Sequence, residues 1–345
     1  MRILIGSTVF AAATLALAGQ ASAATARACD RTCMIGIAEQ YLAAFVAHDP
    51  SKAPIAPGTR YTETGIPMKV GEGLWKTVTA RVPGGSYLVD LPMQTVIFLG
   101  ALEAPRGVPP SGAGPLVSSC PAAAPAAGAA PRAAPPAPPA PTGPQYFNAV
   151  LRLKVVNRQI TEIELLNPEI RDAEVAKGMT SQSKWWDAPI PVSARRTRAE
   201  MIAAADTYFQ GALKADGKIV KITPDAFRFE NGAQATSVKM EGPGAGPRSP
   251  LNIPDQFSTH VFDYIKNVTF RRWYVDEEHG IAHAFAMFDQ PGWDANPAAT
   301  PPLRCQPRRV SMLGETFKLE NGLITHVQAT GKFLPYGSTP GWPAP

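Results

Sequence analysis

One segment occurs twice in this chain. Ala38-Glu39-Gln40-Tyr41, Asp49, Pro57 and Glu63-Thr64-Gly65 recur as Ala205-Asp206-Thr207-Tyr208, Asp216, Pro224 and Glu230-Asn231-Gly232, each 167 positions later. An ungapped register held over that length argues for duplication, and self-similarity has to be settled before any element is assigned. Two more stretches repeat at other separations. Asp90–Glu103 returns as Asp276–Asp289, 186 positions on, and Arg152–Ile163 as Thr316–Val327, 164 positions on. The chain is therefore expected to hold two copies of one domain.

The first residues read as an export signal. Arg2 supplies a positive start, Ile3 to Ala18 an apolar run, and Ala21-Ser22-Ala23 a small-residue cleavage site. Residues 1–23 are thus expected to be removed, leaving a secreted or periplasmic protein without a membrane span. The roughly 320 residues left are too many for one core and suit two domains of about 150. A formal charge of +5 is small for this length. The basic runs Arg195, Arg196, Arg198 and Arg308-Arg309 are not interleaved with aromatics, so no nucleic-acid partner is expected.

Four cysteines in an exported chain suggest two disulfides. Cys29 and Cys33 open the first helix, while Cys120 and Cys305 fall in corresponding loops of the two copies. We expect the helix pair to be joined to the loop pair, in either order. A Cys29–Cys33 bond is not expected, since four-apart helical positions rarely suit disulfide geometry.

Apolar spacing predicts a helix over Ile35–Ala47, capped by Asp30 or Thr32, and another over Arg198–Lys214. Strands follow each, with a further helix expected over Pro254–Ile265. Residues 121–144 are almost wholly alanine and proline and interrupt the first copy between two strands as an extended surface insertion. The expected order is domain 1 over 24–170, a linker over 171–193 carrying Trp185 and Trp186, domain 2 over 194–335, and a tail over 336–345. Each domain is helix first and then a curved, mostly antiparallel sheet, an α+β class.

A helix with a small-residue Tyr motif, a strand carrying Glu and Gly, and long final strands resemble the SnoaL-like, nuclear-transport-factor-2-like cone. Trp186-Asp187-Ala188-Pro189-Ile190-Pro191, Arg195 with Arg198, and Arg271-Arg272-Trp273-Tyr274-Val275-Asp276-Glu277-Glu278 are similar to motifs of secreted tandem proteins of fungi and bacteria with no assigned activity. The resemblance implies a conical pocket between helix and sheet. The superfamily includes ketosteroid isomerase, polyketide cyclases, scytalone dehydratase and limonene epoxide hydrolase beside binding and scaffold modules, and fold alone does not choose among them. Its dimers imply that the two sheets pack face to face, making the chain a monomeric pseudo-dimer.

Duplication also lets one copy act as a control for the other. His283 stands where the first copy has Ile97, and Glu315 where it has Leu151. A hairpin register placing them opposite each other would give a buried acid/base pair, with His283 as base or acid and Glu315 orienting it. The alternatives are a self-satisfied structural pair or a register that separates them. His260, Asp263 and Tyr208 are candidate substrate contacts. His326 is expected to be exposed, and His279 to lie in a solvated turn. No metal site is indicated. Without a nucleophile elbow, Walker loop or dinucleotide fingerprint, no cofactor is expected. The reading is cofactor-independent isomerase, lyase or hydratase chemistry on a small, partly apolar molecule. The alternatives are a non-catalytic binding or scaffold protein, or a cell-envelope protein using the Ala/Pro segment as a spacer.

Overall fold

The computed structural model describes residues 29–108, 143–170, 172–238, 249–292, 305 and 307–343. The expected leader, nearly all of the Ala/Pro insertion, and Cys120 lie outside the described residues. In the first half a helix, α1 (Arg31–Val46), precedes β1 (Ile55–Glu63), β2 (Ile66–Met68), β3 (Ala80–Arg81), β4 (Ser86–Asp90), β5 (Thr95–Ala104), β6 (Gln145–Val156), β7 (Gln159–Leu166) and β8 (Glu169–Ile170). Two short helices, α2 (Ala173–Thr180) and α3 (Ser183–Trp186), occupy the expected linker. The second half comprises α4 (Arg198–Lys214), β9 (Ile222–Glu230), β10 (Ala233–Gln234), α5 (Ile253–Phe257), β11 (Asn267–Asp276), β12 (Ile281–Gln290), β13 (Arg309–Glu320) and β14 (Leu323–Pro335).

The class is mixed α+β, with two mixed sheets and few helices. The sheets share one topology: β2-β1-β7-β6-β5 in the first and β10-β9-β14-β13-β12-β11 in the second, with β3 and β4 pairing β5 and β8 pairing β6. In both, the strand after the helix runs parallel to the last long strand, and the other pairings are antiparallel. The separations read from sequence recur in the elements themselves. α1 and α4 start 167 residues apart, as do β1 and β9, while β5 and β12 differ by 186 and β6 and β13 by 164. The recurrent Asp49 and Asp216 are structural, each capping a short 3₁₀ turn through the backbone N–H two residues on.

Both long helices start on good caps. The Asp30 carboxylate accepts from the Cys33 N–H, and Thr197 with Glu200 forms a capping box. α1 buries Ile37, Tyr41, Leu42 and Phe45 on its sheet, and α4 buries Met201, Ala205, Tyr208 and Phe209 on the other. A third apolar cluster joins the halves, with Leu88, Ile97, Leu99, Val150 and Leu166 packed among Ile281, Phe285, Met287 and Met312.

Polar contacts across the junction come in reciprocal pairs. Asp90 Oδ2 accepts from the Val275 N–H at 2.8 Å and Arg198 Nη1 at 2.6 Å. At the matching positions of the other half, Asp276 Oδ2 accepts from the Val89 N–H at 3.0 Å and from Arg31. Arg198 also donates to the Trp273 carbonyl, as Arg31 does to that of Tyr87. Contacts that exchange partners in this way are the mark of a two-fold, isologous interface.

Three expectations change. Cys29 and Cys33 are bonded to each other, with Cα atoms 5.2 Å apart. Cys29 precedes the extended N-cap Asp30, so it is not on the helix surface and the four-apart spacing does not apply. Cys305 is also disulfide-bonded. The expected helix over 254–265 ends at Phe257 and continues as single turns, with His260 at a positive φ of 63°. Finally, the tail turns back on the first half, where Trp342 is buried and its indole N–H donates to Thr62 Oγ1 at 2.8 Å.

Candidate functional site

The second half holds a cavity of about 170 Å³ between α4, β9, the turns after α5 and the inner face of β12–β14. One cross-strand row beside it, of which Glu315 and Ala329 line the cavity, differs from the first half. In the first half Leu151 lies between Phe98 and Leu165 on neighbouring strands. The equivalent row of the second half is Ala284, Glu315 and Ala329. Two large apolar side chains have become methyl groups around a carboxylate. The first half is filled further by Trp75, buried edge-on against Tyr41 and Phe45 with ring centres 5.3 and 4.9 Å away.

Strand alternation places Ser311, Leu313 and Glu315 of β13 on the cavity side, with Phe288 and Gln290 of β12 and Arg228 and Glu230 of β9. Arg228 occupies the position of Tyr61 in the first half. Its buried guanidinium donates to the Tyr208 hydroxyl at 3.1 Å and to Gln256 Oε1 at 2.7 Å. Arg228 Nε lies 2.9 Å from Glu230 Oε1, an ion pair too bent to be a hydrogen bond. Burial pushes the Glu315 carboxyl up to about 7, against the opposing pull of the Arg228 charge and the Tyr208 hydroxyl. Glu315 Oε2 has no hydrogen-bond partner among the described residues. Lys332, half-buried in the lining, is pushed down to about 8 by burial. Phe257, Phe262, Tyr264 and Ile265 close the apolar side.

The expected His283–Glu315 pair does not form. The register of β12 on β13 sets His283 opposite Thr316 and Ala284 opposite Glu315. A one-residue difference in register sends the two side chains to opposite faces of the sheet. Glu315 enters the cavity, whereas His283 faces the first half, where Gly314 brings Val150 close to its ring. His283 Nδ1 contacts Thr316 Oγ1 at 2.9 Å and Nε2 has no partner among the described residues. Burial, reinforced by the Arg272 charge, pushes the ring down to about 3, so it is neutral and apolar in behaviour near neutrality.

Of the other candidates, Tyr208 lines the cavity. His260 and Asp263 contact each other at 3.2 Å, with His260 exposed, and neither reaches it. The end of α5 at Phe257 and the left-handed backbone at His260 turn them outward. Two further histidines are buried against expectation. His326 does share a sheet face with Lys318 and Gln328, but α3 covers that face. Trp185 stacks on the ring at 4.6 Å and Gln182 Oε1 lies 3.1 Å from Nε2. His279 is held by Asp276 at 3.1 Å inside the junction. Glu63 accepts from Tyr61 and from the Leu74 N–H, a turn-closing role. Arg228 was the missed residue, although comparing the copies signals it: a charged side chain replaces Tyr61 inside an otherwise recurrent segment.

Comparison with known families adds a boundary but no activity. No curated protein matches the chain. A solved protein of unknown function with a cystatin-like fold, from Methylobium petroleophilum PM1, is 16% identical; the match covers 40% of this chain and 78% of that one, with a TM-score of 0.25. Residues 194–331, which contain the cavity lining except Lys332 and Phe333, match a domain of unknown function, DUF8021.

Proposed function

We propose that the second half binds a small, partly apolar molecule and carries out cofactor-independent proton transfer on it. The Glu315 carboxyl would give or take the proton. The observation that carries this reading is Glu315 itself, a buried carboxyl in the cavity lining whose Oε2 has no hydrogen-bond partner among the described residues, where the first half has Leu151, with Leu165 beside it in place of Ala329. A cavity of about 150 Å³ accommodates one benzene-sized molecule. An acid or base works best with a pKa near the operating pH, and burial brings Glu315 there. Arg228 and Tyr208 form a hydrogen-bonded unit beside the carboxyl and would hold a substrate oxygen or the developing anion. Isomerisation, elimination and hydration all fit such a site.

The wider reading is an exported protein of two tandem cones, 24–170 and 194–335, forming its own pseudo-dimer as a monomer. The Cys29–Cys33 disulfide suits an oxidising compartment, and no helix among the described residues is long and apolar enough to cross a membrane. Reciprocal contacts at Asp90 and Asp276 support the pseudo-dimer. A binding protein without turnover is the second reading, favoured by the enclosure of Glu315.

The test is thermal shift of wild type, Glu315→Gln and Ala329→Leu, which installs the first-half Leu165 in the cavity lining, against one-ring alcohols, ketones and enols, followed by turnover assays on whatever binds. A ligand that stabilises wild type and Glu315→Gln but not Ala329→Leu, and that only wild type converts, supports the enzyme. Equal stabilisation of all three places the ligand elsewhere and defeats the reading. Binding without turnover selects the binding protein.

A further inference from the structure

A second cleft, of about 250 Å³, opens on the seam between the halves. The first half contributes Met93, Arg152 and Lys154, and the second half Arg272, Tyr274 and Trp342. Its charges are unequal. Arg152 pairs with Glu162 at 2.7 Å and Glu164 at 2.8 Å, and Arg272 pairs with the same Glu164 from across the seam. Lys154 lies 4.0 Å from Glu162. Arg152, Lys154 and Arg272 thus face Glu162 and Glu164, and Arg60 adds a further cation against Trp342, so the surroundings are net positive.

The donors are unsatisfied as well. Arg152 Nη2 and Arg272 Nε are both buried and have no hydrogen-bond partner among the described residues. A buried donor without an acceptor costs about 1–3 kcal/mol, and more on a charged group. Trp342 walls the site, its ring centre 4.5 Å from the Arg152 guanidinium and 4.4 Å from that of Arg60. Stacked, hydrogen-bonded arginines keep a rigid fork suited to a carboxylate.

We propose that this cleft binds a small organic monoanion, a carboxylate on a flat apolar body. Arg152 and Arg272 take the carboxylate, while Trp342, Tyr274 and Met93 flank the body. Net positive surroundings favour an anion, and a neutral ring would leave both donors unsatisfied. The site is separate from the Glu315 cavity, on the other face of the second sheet, and stands whether or not that cavity is catalytic.

The experiment is calorimetric titration of the full chain with benzoate, and with benzamide as its neutral counterpart. Three proteins are compared: wild type, Met93→Trp and Ala329→Leu, the last altering only the Glu315 cavity lining. Met93 is exposed, so the tryptophan narrows the cleft without removing a charge or a core contact. Benzoate is expected to bind wild type and Ala329→Leu alike, benzamide at least about tenfold more weakly, and Met93→Trp to lose at least about tenfold in benzoate affinity. Equal binding of benzamide, undiminished binding by Met93→Trp, or no benzoate binding to wild type would each overturn the assignment. Loss of benzoate binding in Ala329→Leu alone would move the anion to the Glu315 cavity and overturn it too.

Discussion

Replacing Glu315 by leucine restores the residue found at Leu151 and isolates the electrostatic character of the cavity. In the folded protein burial moves the carboxyl from 4.5 to about 7. Between those values the folded state keeps a proton that the unfolded chain has lost. Stability therefore falls as pH rises from about 4.5 to about 7 and levels off above, the reverse of the usual paired carboxylate. A shift of that size corresponds to about 3 kcal/mol, at roughly 1.4 kcal/mol per unit. Glu315→Leu removes this penalty. Its stability relative to wild type should therefore improve by about 3 kcal/mol between about pH 4.5 and about pH 8. The absolute gain at either pH also contains leucine packing beside Ala284 and Ala329, but that part cancels in the difference. Urea unfolding of both proteins at the two pH values, at one salt concentration with disulfides intact, gives the number. A difference that does not change with pH would mean that Glu315 titrates as an ordinary solvated carboxylate, and the dry acid/base site would be lost with it.

His283→Ile installs the first-half residue Ile97 and removes a ring pushed down to about 3. Since the folded state binds fewer protons than the unfolded one, wild type should lose stability as pH falls from about 6.5 towards about 3. The variant should lose less by roughly 1.4 kcal/mol per unit over that window; parallel urea curves across it would refute the burial of His283. Trp75→Ala should cost about 3–5 kcal/mol while leaving any second-half ligand bound as before. A matching loss of ligand affinity would show the halves to be coupled. Asp90→Ala and Asp276→Ala should each cost about 3 kcal/mol, because each removes the carboxylate that pairs with an arginine and accepts a backbone N–H at the junction. A large effect at only one of them, in equilibrium unfolding, would break the pseudo-symmetry.

Much of the fold was legible because duplication constrains it locally. Helix α4 and strands β5, β12 and β13 lie where periodicity and the recurrent separations put them. The turn residues, caps and apolar stripes that set those elements act over a few neighbours, so a single chain displays them twice. The region after α5 was not legible, since apolar spacing suits helix and successive turns equally and the left-handed His260 decides between them. Cys29 was misread for a related reason: whether a residue lies on a helix or just before its cap changes its direction entirely.

The site was half legible, and the half that failed is instructive. His283 and Glu315 were found by one criterion, a polar residue standing where the other copy is apolar. That criterion detects departures from a filled core but not which side of the sheet they leave. Both faces of these sheets are covered, one by its own helix and one by the other half, so either can bury a polar group for its own reason. At the junction a histidine can be kept neutral and packed, as His283 is against Phe285 with ring centres 4.8 Å apart. In the cavity a carboxyl can be surrounded by space, as Glu315 is between two alanines. Side-chain direction alternates with every residue, so a single step in register converts one case into the other. What separates them is the size of the cross-strand neighbours. Reading the row Phe98-Leu151-Leu165 against Ala284-Glu315-Ala329 requires only the pairing of three strands, and it marks the carboxyl rather than the imidazole as the group with room beside it for another molecule.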